Sequence, residues 1–448
     1  MIVIKKAFIY TFALVCLFSL SVTLQGQTSK DSTDTKRWNF HFQNTTIYQY
    51  HPLFRAKYSG INSLNPEAEG NTSITGTMFF GARLWKGASA YYNPEISGGN
   101  GFSKTLGVAG FPNGEVYRVS DVNPKVYTAR LFIKQIFALS DHYELVEDEI
   151  NQLPTRLPDS YLAISAGKFS IMDFLDNNKF SHDPRSQFYN WALMGNGAWD
   201  YPANTRGYTY GVITELIKPD WALRLASVMV PTTANGAVMD KNVFHSHSEA
   251  LELEHKYRLG HQSGTFRIMT FLTHARMGSY IKSIELGEAN HTSPAIDSTN
   301  TLGRIKYGFG INAEHNFTDN IGSFARASWN DGHNETWAFT EIDRAISIGL
   351  QLKGNIWNRI DDKIGIAVLA NGLSAEHRNY LKAGGYGFII GDGSLNYRHE
   401  MITEVYYSFK LNNYPLWISP DYQFIVNPAY NKDRGPVNAF GIRAHVEI

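Results

Sequence analysis

The chain holds one cysteine, Cys16, in 448 residues. Because Cys16 lies in the N-terminal stretch MIVIKKAFIYTFALVCLFSLSVTLQGQ, the sequence beyond it can build neither a disulfide nor a thiolate metal site. Excess charge is also missing: 41 basic residues face 41 acidic ones, so no electrostatic footprint points to a nucleic-acid partner. No G-x-S-x-G, H-E-x-x-H, P-loop or Rossmann fingerprint appears, which leaves catalysis without a foothold and implies no cofactor. No helical anchor, linker, low-complexity tract or fixed-period repeat divides the chain into separate domains.

What is present begins with Lys5 and Lys6, an uncharged stretch over 7–24, then Gln25 and Gly26. This is the plan of a secretory signal peptide over residues 1–26, with 27–448 as the exported domain. An uncleaved anchor is the alternative; a lipid-modified Cys16 fits less well, since apolar sequence continues well past it. Removal of 1–26 takes two lysines and no acid, leaving acidic residues ahead by two. Such a chain must be held by packing and backbone pairing alone.

Aromatics are plentiful, with 25 tyrosines and 27 phenylalanines, a balance that favours strands. The period is two. In W-N-F-H-F-Q, Trp38, Phe40 and Phe42 share one face and Asn39, His41 and Gln43 the other. Further alternating runs occupy 73–85, 88–96, 126–139, 161–169, 208–216, 221–229, 247–257, 265–274, 306–317, 321–330, 345–354, 363–370, 398–411, 416–426 and 438–448. In 126–139 the pattern sets Tyr127, Ala129, Leu131, Ile133 and Phe137 against Thr128, Arg130 and Lys134.

Several runs reach the ~9–11 residues that a tilted strand needs to cross a membrane. The total is about sixteen, an even number as antiparallel closure requires. The expected fold is therefore all-β, a transmembrane antiparallel barrel. Twenty-two strands and a plug do not fit this length, and eight would leave too much loop; sixteen leave an aqueous lumen. Long insertions at 97–124, 140–160, 170–206, 279–304 and 371–397 are expected on the rim, and the first and third are aromatic enough to pack inside the barrel.

The stretch AGKFSIMDFLDNNKFSHDPRSQFYNWALMGNGAWDYPANTRGYTYG, residues 166–211, with FPNGE at 111–115, ARLW at 82–85 and RGP at 434–436, resembles the carbohydrate-selective outer-membrane porin family. The similarity extends over nearly the whole exported chain. It implies a sixteen-stranded barrel in the bacterial outer membrane that passes sugars, glucose and small oligosaccharides among them, by facilitated diffusion past inward loops. It also implies a protein able to act as a monomer, with a homotrimer as the alternative. The pattern departs at Ile448, where barrels of this type usually finish on an aromatic residue.

A sugar offers apolar C–H faces and a rim of hydroxyls, so aromatic platforms beside charged and amide groups suit it. Trp191, Trp199 and Tyr201, interleaved with Asn190, Asp200, Asn204 and Arg206, supply both. The structural alternative is that these aromatics only anchor a loop to the wall. Arg83, Arg130, Lys134 and Arg224 fall on inward faces, as do Glu252, Glu254 and Glu314, a mixture that suits neutral polar solutes better than ions. Glu115 and Arg118 can reach the constriction, while Tyr208 and Tyr210 suit an interfacial girdle. His245 and His247 with Glu249 are read as a hydrated loop edge rather than a metal site, and His182-Asp183-Pro184-Arg185 as pairing within its loop. The rival readings are a barrel hydrolase with a Ser-His or paired-carboxylate site at the rim, and a soluble exported sugar-binding β-protein.

Overall fold

A computed structural model describes residues 36–116 and 123–448. The expected signal peptide and Arg118 lie outside the described residues.

Alternation of apolar and polar residues produces the strands β1 (Trp38–His51), β2 (Glu69–Trp85), β3 (Ala88–Gly99), β4 (Lys125–Ala138), β5 (Tyr143–Val146), β6 (Thr155–Pro158), β7 (Tyr161–Phe169), β8 (Thr209–Ile217) and β9 (Trp221–Met229). They continue as β10 (His247–Leu259), β11 (Gln262–Met277), β12 (Thr301–Asn316), β13 (Ile321–Asn330), β14 (Arg344–Lys353), β15 (Lys363–Gly372), β16 (Glu400–Lys410), β17 (Leu416–Val426) and β18 (Val437–Glu447). Among the described residues, all but β5 and β6 form one closed barrel of sixteen strands, sealed by antiparallel pairing of β1 with β18. Closure removes the open sheet edge that a membrane cannot tolerate. No helix among the described residues is long and apolar enough to cross a membrane; the strands cross instead.

The pleat sorts side chains between two solvents. On β10, Leu251 and Leu253 are exposed on the outer wall while Glu252 and Glu254 are buried toward the lumen. On β18, Phe440 and Ile442 face out and Arg443 and His445 face in. Short turns link neighbouring strands at one end of the barrel, and long loops such as 170–208, 278–300 and 373–399 rise from the other. The insertion 139–160 belongs to the short-turn end, where β5 and β6 pair as a separate hairpin.

One alternation departs from its sequence pattern. The β3–β4 register shifts between Asn93, opposite Arg130, and Pro94, opposite Thr128, so Ala129 is an extra residue in β4. A bulge of this kind reverses sidedness along the strand, and a proline, lacking a ladder donor, belongs at such a place. Tyr127 consequently lies with Arg130 on the inner face rather than with Leu131 on the outer one. Tyr208 is a second correction. Its residue precedes β8, follows Gly207 at φ 90°, and turns into the lumen, whereas Tyr210 is 45% exposed on the wall.

Candidate functional site

Loop segments 100–116 and 170–208 fold into the lumen but do not fill it evenly. Along β10 to β17 the packing is dense, and inward carboxylates act as clamps for loop backbone. Glu404 accepts from the N–H groups of Tyr189 at 2.5 Å and Asn190 at 3.0 Å. Glu400 accepts from those of Ala109, Gly110 and Ala429 at 3.0, 2.7 and 2.8 Å. Glu252 takes the Asp176 N–H at 2.6 Å, and Glu314 the Lys179 N–H at 2.7 Å. Arg326 complements them by donating to the carbonyls of Leu193 at 3.0 Å and Ser181 at 2.6 Å. Irregular backbone carries donors and acceptors that must be satisfied when buried, and these side chains satisfy them.

Along β1 to β8 a cavity of ≈ 510 Å³ stays open beside the loops. One wall is aromatic. Phe111 stacks on Trp191 with ring centroids 5.1 Å apart, and Tyr201 stacks on Phe339 at 5.0 Å. Trp191 joins the two pairs, lying 5.4 Å from Tyr201 and 5.1 Å from Phe339.

The facing wall is a lattice of opposite charges. Arg130 forks onto Asp173 through Nε and Nη2 at 2.7 and 2.6 Å. Lys134 meets Glu215 at 3.1 Å. Arg185 donates to Glu115 at 2.8 Å and to Glu95 at 3.1 Å. Glu95 also accepts from Thr77 at 2.6 Å, from Tyr208 at 2.9 Å and from Tyr127. The guanidinium of Arg206 lies over the Tyr127 ring, 3.8 Å from its centroid. Burial pushes the Glu115 carboxyl up against the opposing pull of Arg185. Burial also disfavours the Arg185 charge, but Glu115 and Glu95 outweigh it and hold the guanidinium firmly protonated.

The floor comes from the short-turn end. Residues Glu149 to Gln152, the tip of the β5–β6 hairpin, line the cavity. Asn39 fixes the tip through Asp148 Oδ1 at 2.7 Å and the Gln152 carbonyl at 2.9 Å, and Asn93 reaches Asn151 at 2.9 Å. Arg83 donates to the Pro154 carbonyl at 3.0 Å.

Of the residues expected from the sequence, Glu115, Arg130, Trp191, Tyr201 and Arg206 meet in this cavity. Arg83, Trp199, Asp200 and Asn204 do not line it. Arg83 braces the hairpin. Trp199 is 2% exposed, beneath the aromatic wall. Asp200 is spent on the N–H groups of Trp337, Ala338 and Phe339 at 2.5, 2.9 and 3.0 Å, and Asn204 closes its own turn onto the N–H groups of Arg206 and Tyr208. Arg224 and Glu254 continue the lattice along the wall beyond the cavity, with Arg224 to Glu215 at 3.5 Å and to Glu252 and Glu254 at 3.0 and 3.1 Å, and Arg267 to Glu254 at 2.9 Å. Glu95 and Asp173 are absent from the expected set, and Arg185, expected to pair within its own loop, reaches out of it to Glu95 on β3 and to Glu115. Strict alternation of Asn93, Glu95 and Ser97 on β3 is the signal that finds the first; the other two sit on aperiodic loop.

The family model described as carbohydrate-selective porin, OprB family, matches residues 81–448. No curated protein sequence matches the chain. Among solved structures, the high-pH form of OprB from Pseudomonas putida superposes with a TM-score of 0.70 at 15% identity, covering 92% of this chain and 94% of that one. The outer-membrane channel DcaP of Acinetobacter baumannii superposes at 0.51 with 10% identity, covering 95% and 100% respectively. At these identities the superpositions speak to the fold.

Proposed function

This chain belongs to the carbohydrate-selective porin family, OprB, and from that premise we propose that its sugars pass through the cavity between the Trp191 wall and the Arg130–Arg185 lattice. The porin role, the outer-membrane setting and the absence of an enzymatic task follow from the family and the channel fold. A hydrolase at the rim and a soluble binding protein are thereby set aside.

The observation that carries the reading is that almost every charge on the cavity's polar wall has an opposite partner within about a hydrogen bond, directly across from stacked rings. An internally neutralised lattice holds no excess field to select an ion, since ion selection comes from rings of one sign. Its donors and acceptors can still exchange partners with the hydroxyl rim of a sugar while the aromatic wall takes the C–H face. Passage needs no energy input. Glucose and small oligosaccharides are the solutes proposed, and signal-directed export of residues 27–448 is the route proposed to the outer membrane. Because the cavity lies within one barrel, the sugar path proposed needs no residue from a second copy, whether the chain acts as a monomer or as part of a homotrimer.

Single-channel recording in a planar bilayer tests this. The expected result is an open channel whose ion current falls in a saturable manner as glucose or a disaccharide is added. A conducting channel indifferent to every sugar in the panel overturns the assignment of this cavity as the sugar path.

A further inference from the structure

Outside the pore, the barrel wall carries a polar group where apolar residues are the rule. His247 and Glu249 occupy alternate positions of β10 and share its outer face with Leu251 and Leu253. Across the ladder, His274 of β11 pairs directly with His247, and their rings stack with centroids 4.7 Å apart. Toward mid-wall the outward rows are apolar, with Leu225 opposite Leu251, Leu223 opposite Leu253 and Ile305 opposite His274, while toward the rim Ser227 lies opposite Glu249 and Arg276 follows His274 on the outer row of β11. Ionisable groups at a lipid-facing wall are costly, so three converging at one place call for a reason.

We infer that His247, Glu249 and His274 form a binding site for a divalent transition-metal ion of the zinc class on the outer face of the barrel. Their ligand atoms, one from each residue, all lie within 4.8 Å of one another. Two nitrogens and a carboxylate oxygen on one tetrahedral ion stand about 3.3 Å apart, so side-chain rotation alone closes the set. His247 Nε2 already contacts Glu249 Oε1 at 3.1 Å, while its Nδ1 is buried with no hydrogen-bond partner. Nε2 is thus the nitrogen placed to share an ion with that carboxylate, and an imidazole nitrogen beside a carboxylate oxygen is a common ligand pair for zinc.

The order of ligands in the sequence is misleading here. The H-x-H pair contributes only one member, because His245 turns away to Asn242 Oδ1 at 3.2 Å. The second imidazole comes from the neighbouring strand. Three protein ligands leave one position for water, and it opens toward a groove of ≈ 500 Å³ formed by Ser227, Met229, Val243 and Phe244. Imidazole and carboxylate favour zinc and copper over calcium and magnesium, which take all-oxygen shells. A bound ion turns the Glu249 charge into a net +1, which hydroxide or another anion in the fourth position would balance, and ties β10 to β11 at the rim where loop 230–246 arrives.

The test is zinc uptake by the full exported chain, purified in detergent without a histidine tag and measured by titration calorimetry against Zn²⁺. One ion per chain is expected. His247→Asn and His274→Asn, placed on different strands, should each abolish that uptake. His245→Asn should keep it, and Mg²⁺ should not compete. Heat-modifiable gel migration reports whether each variant is a folded barrel. Absence of stoichiometric uptake by the unmodified protein overturns the site, as does uptake that persists in folded His247→Asn and His274→Asn.

Discussion

The two halves of the lumen use the same side chains for opposite ends. Along β10 to β17, carboxylates such as Glu400 and Glu404 face loop N–H groups and the space closes. Along β1 to β8, Glu95, Glu115 and Asp173 face guanidinium groups and the space stays open. A backbone amide brings a whole chain segment with it, so a carboxylate satisfied by amides becomes packed. A side-chain cation brings only a flexible stem and leaves room beside it. For these acids the partner separates plug from pore. Glu69 of β2, which takes the Ser103 N–H at 2.8 Å, and Glu254 of β10, which meets Arg224 and Arg267, show that the boundary is set acid by acid rather than by strand.

The largest effect is expected from breaking the plug. Glu400→Ala combined with Glu404→Ala strands five loop N–H groups, each at roughly 1–3 kcal/mol when buried without an acceptor. The sixteen-strand ladder is untouched, so the barrel should still show heat-modifiable migration. Its conductance should rise severalfold and sugar should cease to reduce it. A folded double variant with unaltered conductance would break the comparison at its root.

A middle-sized effect separates two tryptophans of one loop. Trp199 is buried beneath the wall and Trp191 faces the cavity. Trp199→Ala should cost loop docking about 3–5 kcal/mol, as large aromatic deletions do, and appear as a noisier open channel. Trp191→Ala should weaken sugar block by about 1 kcal/mol, roughly fivefold, with smaller change in the open current. Equal effects on both readouts from both variants would show that the wall is packing throughout.

Sequence alone reached the barrel more completely than its lumen, for a physical reason. A strand's sidedness is local: β7, β9, β13 and β17 span the same residues as the alternating runs 161–169, 221–229, 321–330 and 416–426. Tyr127 escapes that rule because its face depends on a bulge opposite Pro94, a property of two strands rather than one. The loop from 170 to 208 has no period, so nothing local distinguishes cavity-facing Trp191 and Tyr201 from buried Trp199. The hairpin tip was harder still, since its four-residue strands carry too few alternations to register.

The smallest expected effect concerns pH and lies on the closed side, in the loop 331–343 that carries the cavity residue Phe339. Glu335 accepts the Gly278 N–H at 3.0 Å, which joins this loop to the one before β12. Burial pushes its carboxyl up to about 7, with Asp297 and Glu341 acting in the same direction; the Gly278 N–H and Lys306 oppose them. The folded value thus lies above the ordinary one of 4.5. The stabilisation is fully present below pH 4.5, where both folded and unfolded chains hold the proton, and is lost as pH rises through about 7. Once ionised, Glu335 must share its pocket with other acids, and the tie at Gly278 should open more often. Amide exchange of the segment around Gly278, corrected for intrinsic rate, should therefore accelerate between pH 5 and pH 8 by more than in Glu335→Gln, which stays neutral throughout. Exchange that rises equally in both proteins would show that the loop is held by the Asp200 clamp on Trp337, Ala338 and Phe339 alone. In that case amide-satisfied carboxylates close the lumen even where one of them titrates.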